Sequence, residues 1–164
     1  MADVKIAYGT QGQGITCTLA SLASSASAGR ESTGVDNRTN KYLDALVRVS
    51  IKTQNSGTIS TTDPWVYVFA YGTTDDGTTY PDNVTGTDAA ITLNTISQLP
   101  IIGAIHVAAI NTTYHGGPWS VASAFGGVLP AFWGIVVKNS CGTALSATEG
   151  DHIKQYQGVY STVV

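Results

Sequence analysis

The chain has 164 residues, enough for one domain with a buried core, and is 43% hydrophobic but only 12% charged, about half the usual charged share. Net charge is −3, and the eight Lys and Arg are scattered, which argues against the clustered cations that a nucleic-acid partner needs. Two cysteines are too few for a disulfide scaffold, and no apolar run approaches the ~20 residues of a membrane span.

Neutral polar residues replace the missing charge: 22 Thr, 14 Ser and 18 Gly. Thr favours pleated strands, Gly and Ser favour turns, and the balance points to an all-β domain with many loops. Residues 3–8, "DVKIAY", read as a short strand or arm. "GTQGQG" at 9–14 follows as a three-glycine hinge. Residues 1–14 are therefore expected to form an N-terminal arm and flexible link that leaves the sandwich, with the sandwich domain over 15–164. "ITCTLASLAS" at 15–24 alternates and predicts a strand. Residues 24–40 read as a long polar loop in which Arg30, Glu31, Asp36, Asn37 and Arg38 gather both signs of charge.

"KYLDALVRVSIKT" at 41–53 is the clearest strand. Leu43, Ala45, Val47, Val49 and Ile51 share one face, so one side is dry and the other wet. "WVYVFAYG" at 65–72 is apolar or aromatic on both faces and predicts a central strand covered twice. Strands are further predicted over 89–97, 100–110 and 132–139, with a final one at 153–164. Residues 73–88 and 111–119 read as loops, and 119–125 as a strand or a helical turn. That makes seven to nine strands with frequent turn signals, the pattern of an antiparallel β-sandwich. Leu43, Val47, Val49, Ile51, Val68, Phe69, Ile105, Val107, Ile135 and Val136 form the predicted core. The apolar stretch at 124–143 reads as a core strand entered through a Gly-Gly/Pro turn. A ligand slot lined by Phe125, Phe132 and Trp133 is its alternative reading.

Chemistry-bearing patterns are sparse. His106, His115 and His152 are far apart in sequence with no His-x-x-x-His pair, and His106 is expected to be a satisfied core residue. Asp75, Asp76, Asp82 and Asn83 lack the alternating carboxylates and distal Glu of a calcium loop and read as a solvated turn. There is no nucleophile elbow and no phosphate-binding loop. The expectation is a protein that is not an enzyme and needs no cofactor or metal, with Cys17 and Cys141 as separate buried thiols. "MADVKIAYGT" carries no apolar core of signal-peptide length, so synthesis in the cytoplasm is expected.

Four longer phrases carry a resemblance: "LASLASSASAGRESTGVDNRTNKYLDALVRVSIKT", "VYVFAYGTTDDGTTYPDNVTGTDAAITL", "SVASAFGGVLPAFWGIVVKN" and "ATEGDHIKQYQGVYSTV". Together they resemble a family of small virion structural proteins of tailed bacteriophages, over residues 15 to 164. The resemblance implies a virion part made in the host cytoplasm. It further implies a capsid decoration, or cement, protein with a jelly-roll-like sandwich on the capsid surface. Its partners would be the phage major capsid protein and further copies of itself, as a homo-oligomer or as neighbours on the shell, and no membrane. It brings no catalytic residues. Candidate contact residues are Arg30, Glu31, Asp36, Asn37 and Arg38 in the polar loop, and Val4 and Ile6 in the arm. The alternative is a tail- or fibre-associated module that recognises a host glycan, with Trp65, Trp119 and Trp133 stacking on sugar faces.

Overall fold

Alternating side chains over 41–53 make one long strand with a single dry face, and a second sheet closes over that face. The computed structural model describes residues 3–94 and 97–163. It is an all-β sandwich of two antiparallel sheets. The strands are β1 (Val4–Tyr8), β2 (Gln13–Gly14), β3 (Ala28–Glu31), β4 (Val35–Asp36), β5 (Asp44–Lys52), β6 (Trp65–Thr73), β7 (Ala89–Thr92), β8 (Ile101–His106), β9 (Thr113–Ser120), β10 (Phe132–Asn139) and β11 (Ile153–Val163). Sheet A runs β1-β11-β5-β9, with β2 also on β11. Sheet B runs β7-β3-β10-β6-β8, with β4 also on β10. Four antiparallel pairs are nested: β6 with β8, β5 with β9, β3 with β10, and β1 with β11. The chain is thus folded back on itself as a long double ribbon, which then wraps into two layers.

Burial explains the two kinds of strand pattern. Val47, Val49 and Ile51 of β5 face Val66, Val68, Ala70, Ile135 and Val137 of sheet B in the core between the sheets. The other face of sheet B is also covered. There Phe69, Tyr71 and Val136 pack under Val84, Ile91, Leu93 and Leu99. Strands β6 and β10 are therefore apolar on both faces, while β5 alternates because the outer face of sheet A is wet. Nine of the ten predicted core residues are buried; Leu43 is 47% exposed because it precedes β5 at the end of the sandwich. Ile135 is fully buried. Ile135→Ala is expected to cost about 2–5 kcal/mol, the range for a packed aliphatic side chain losing its methyl groups; chemical denaturation of the variant beside the parent measures it.

The N-terminal segment is not a free arm but pairs within its own chain. Val4–Tyr8 pairs with Tyr8↔Val159 through Val4↔Val163 on β11, Gly9 N–H donates to the Gly158 carbonyl, and Gln13–Gly14 pairs with Tyr156 and Gln155. Residues 4–14 are thus the edge of sheet A, joined to the domain that begins at residue 15 by the same ladder. The expected glycine hinge is a break within that edge.

Residues 15–24 keep their alternation without becoming a strand. Ile15, Cys17 and Leu19 are buried. Ile15 N–H donates to the Lys154 carbonyl, and carboxylates meet the next part of the backbone: Thr18 N–H donates to Asp88 Oδ1 at 2.9 Å, and Leu19 and Ala20 N–H donate to Glu149 Oε2 at 2.8 and 2.7 Å. Burial alone would raise the pKa of Asp88 and Glu149. Hydrogen bonds from Arg30 and Thr18 to Asp88, and from Lys154, Ala20 and Leu19 to Glu149, outweigh it and hold both below their ordinary values of 3.8 and 4.5. Folded values below unfolded ones mean that the unfolded chain binds more protons in that window, so these two groups stabilise the fold above it. The melting temperature is expected to fall as pH drops below about 4.5, and Asp88→Asn should flatten part of that fall in a pH series of thermal melts.

Two further segments differ from expectation. Residues 111–119, expected as a loop because of "HGGP", form most of β9. Pro118 is tolerated because β9 is an edge strand. Its Trp119 lies over Gly103 and Gly116, where any added Cβ would come within 2.1 and 2.3 Å of the indole. The strand gives way to a short 3-10 turn at Ala122–Phe125, the helical turn allowed for at 119–125. The polar loop at 24–40 contains β3 and β4. In the strand predicted over 89–97, β7 covers 89–92, and residues 95 and 96 lie outside the described residues, as do 1, 2 and 164.

Candidate contact surface

Pairing of β11 with β5 stops at Val159↔Asp44, and Leu43 N–H closes it on the Val159 carbonyl. Beyond that point β1 and the last residues of β11 continue as a two-stranded ribbon. The register puts Val4, Ile6, Tyr8, Val159 and Val163 on one face, and Ala7 and Tyr160 with Lys5 on the other. Val4, Ile6, Tyr8 and Val163 are 70%, 63%, 59% and 68% exposed. The outer edge of β1 is also unpaired among the described residues.

More apolar surface lies beside the ribbon. Leu129 N–H donates to the Leu43 carbonyl, which brings exposed Val128 next to exposed Leu43. Tyr42 lies on Gly158, where an added Cβ would meet its ring at 2.3 Å, and approaches Tyr160 with ring centroids 6.2 Å apart. Of the eight large apolar side chains exposed among the described residues, seven are therefore at this one end; Ile101 is the exception.

Part of the polar loop reaches the same end. Asn37 N–H donates to the Ala131 carbonyl. The buried Asn37 amide is held inside: Nδ2 donates to the Tyr42 carbonyl and Oδ1 accepts from Tyr42 N–H, both at 2.9 Å. It therefore shapes the surface from beneath and is not itself a contact. Asp36 and Arg38 are exposed. Arg38 pairs with Asp36 at 2.9 Å and Asp76 at 3.3 Å, and its guanidinium lies 4.5 Å from the Phe132 ring centroid. Its hydrogen bonds hold the Asp36 carboxyl below the usual range.

Arg30 and Glu31 are elsewhere, on β3 against the middle of β10. Glu31 is buried and accepts from Thr85 N–H, Thr85 Oγ1–H and Gly86 N–H at 2.8, 2.8 and 3.1 Å. Arg30 donates to Asp88 and to its backbone carbonyl. Both residues fasten the segment that covers sheet B and are corrected from contact residues to structural ones. Of the expected set, the end surface thus brings together Val4, Ile6, Asp36 and Arg38. Sequence reasoning missed Tyr8, Leu43, Val128, Tyr160 and Val163, for which "VKIAY" and "VYSTVV" are a weak signal.

The remaining candidates fall in place around this frame. Trp133 is fully buried, so 132–139 is a core strand and not a ligand slot. Trp119 covers glycines and Trp65 is half-buried against His106, so the three tryptophans form no exposed row. His106 is exposed, contrary to expectation, because its side chain leaves β8 on the outer side with Trp65. Asp75 closes its own turn by accepting from Thr73, Thr78 and Thr79, and Asp82 accepts from Asn94 and Ser97. Cys17 and Cys141 are free and buried, and burial pushes the Cys17 thiol up to about 12. No family model, curated protein or solved structure matches this chain.

Proposed function

We propose that this protein is a bacteriophage capsid decoration, or cement, protein that binds the outer shell and stabilises it by bridging neighbouring subunits. The observation that carries the reading is the one-ended distribution of exposed apolar side chains. Exposed apolar side chains gathered at one end of an otherwise wet sandwich mark a place for a partner. The unpaired edge of β1 beside it offers backbone groups to the same partner. The strand order adds support. Counting only the eight strands of the four nested pairs, the sheets run 1-8-3-6 and 2-7-4-5. We read this as a jelly roll, an architecture that recurs in viral capsid and lectin domains. Fold alone assigns no function, so the surface carries the argument.

A ribbon face two strands wide and five residues long covers only about 170 Å², far below the ~800 Å² per partner of a stable free complex. Such a contact is weak singly and gains strength when a symmetric shell offers many equivalent sites. Free protein should accordingly bind one isolated shell subunit poorly and an assembled shell well. The test is to strip particles of this protein and heat stripped and re-decorated shells side by side. A higher rupture temperature after re-decoration supports the cement role, and equal temperatures overturn it.

A further inference from the structure

We propose that a groove on the outer face of sheet A, on the same face as Val4, Ile6 and Tyr8 but further along β11, binds a sugar acid: a carboxylate carried on a ring of neutral hydroxyls. The register builds it. Arg48 is opposite Gln155, Leu46 is opposite Gln157, and Ser50 is opposite His115, so all of these point away from the core. Arg48, Gln155, Leu46, Gln157 and His115 line a groove of about 340 Å³ with Pro118 at its side. That volume is at the small end of the range for small-molecule sites.

What marks this groove is polar capacity without internal partners. Arg30 is paired with Asp88, and Arg38 with Asp36 and Asp76. Arg48 makes no ion pair and no side-chain hydrogen bond among the described residues, although it is exposed in the middle of a strand. Asp44, the acid on the same face of β5, is held by Ala45 and Ala122 N–H at 2.7 and 2.8 Å. Gln155 likewise makes no side-chain hydrogen bond among the described residues. Gln157 uses only its Nε2, on the Gly9 carbonyl at 3.0 Å, leaving Oε1 as an acceptor. His115 is oriented by Nδ1 on Ser50 Oγ at 2.8 Å, which leaves Nε2 to face a ligand.

The chemistry of the ligand follows. A guanidinium recognises a planar carboxylate through two parallel N–H bonds. Amides that donate and accept suit vicinal hydroxyls, which do the same. Leu46 and Pro118 supply apolar surface for the C–H face of the ring. A bare carboxylate would use only Arg48, and a neutral sugar would leave its charge unanswered.

The test uses the full isotope-labelled chain without particles, so it succeeds or fails independently of the shell reading. D-glucuronate and N-acetylneuraminate are titrated and followed by NMR at Arg48 Nε and the side-chain amides of Gln155 and Gln157; D-glucose and acetate are the controls. The expected result is a saturable shift with at least one sugar acid and responses about tenfold weaker or less with both controls, as loss of a charge-assisted pair would give. Arg48→Ala should remove the shift and Arg48→Lys should weaken it. Gln155→Leu, which leaves the cation in place, should weaken sugar-acid binding but not the acetate response. No saturable shift with either acid up to about 50 mM, where a millimolar site would be full, overturns the proposal. So does an equal response to acetate or glucose, or undiminished binding by Arg48→Ala.

Discussion

Trp133→Ala is expected to lower the unfolding free energy by about 3–5 kcal/mol, the cost of truncating a large buried aromatic. Trp133 comes from β10 in sheet B and is fully buried. It meets Tyr156 of β11 in sheet A edge-to-face, with centroids 5.1 Å apart and planes at 89°. The pair therefore spans the two layers, and its loss leaves a void where neither sheet can collapse without disturbing its ladder. Trp133 Nε1 is also buried with no hydrogen-bond partner among the described residues. Both changes remove that unsatisfied donor, but Trp133→Phe keeps one aromatic ring in the space and leaves a smaller void, so it should cost less than the alanine change by about 1–3 kcal/mol. Denaturant melts of the two variants measure the difference, and an alanine variant as stable as the phenylalanine one would contradict the bridging role.

Val4→Asp combined with Ile6→Asp should leave the fold almost untouched and abolish re-decoration of stripped shells. Both side chains are mostly in solvent already, so the two changes together should move the stability by no more than about 1 kcal/mol, up to about 0.5 for each surface substitution. At the proposed contact each aspartate would have to be desolvated against an apolar partner, and that cost repeats at every site on the shell. Occupancy on stripped particles, scored by gel against the capsid band, is expected to fall at least tenfold. Arg38→Ala, at the polar margin of the same end, should reduce occupancy far less, because an exposed ion pair is worth about 0–1 kcal/mol. Wild-type occupancy by the double aspartate variant would remove the ribbon from the contact.

The sandwich was legible in the sequence where one force dominated. β5 alternates because only its inner face is dry, and β6 and β10 are apolar throughout because sheet B is covered twice. Local chemistry hid other elements. The glycines of β9 read as loop, yet they make room for Trp119. β3 reads as polar because Arg30 and Glu31 tie down the segment that covers sheet B. Residues 15–20 alternate like a strand, but Asp88 and Glu149, far along the chain, take the place of a neighbouring strand. The contact end was half legible. Val4 and Ile6 stood out on their own, whereas Val163 joins them through the pairing of β1 with the end of β11, and Leu43 and Val128 reach the same end through Leu43 N–H on the Val159 carbonyl and Leu129 N–H on the Leu43 carbonyl.

That pairing also dictates an order of events during synthesis. In the nested ribbon each strand pair encloses the one before it, and β6 with β8 is innermost. The innermost pair can close while the chain is still being made, but β1 must wait for β11, which follows all the other strands of the sandwich. Pairings so distant in sequence fold slowly, on the scale of milliseconds to seconds. The apolar ribbon therefore forms only after the strands of the other three nested pairs have been made. A chain in which β1 and β11 have not yet paired lacks the surface proposed to dock.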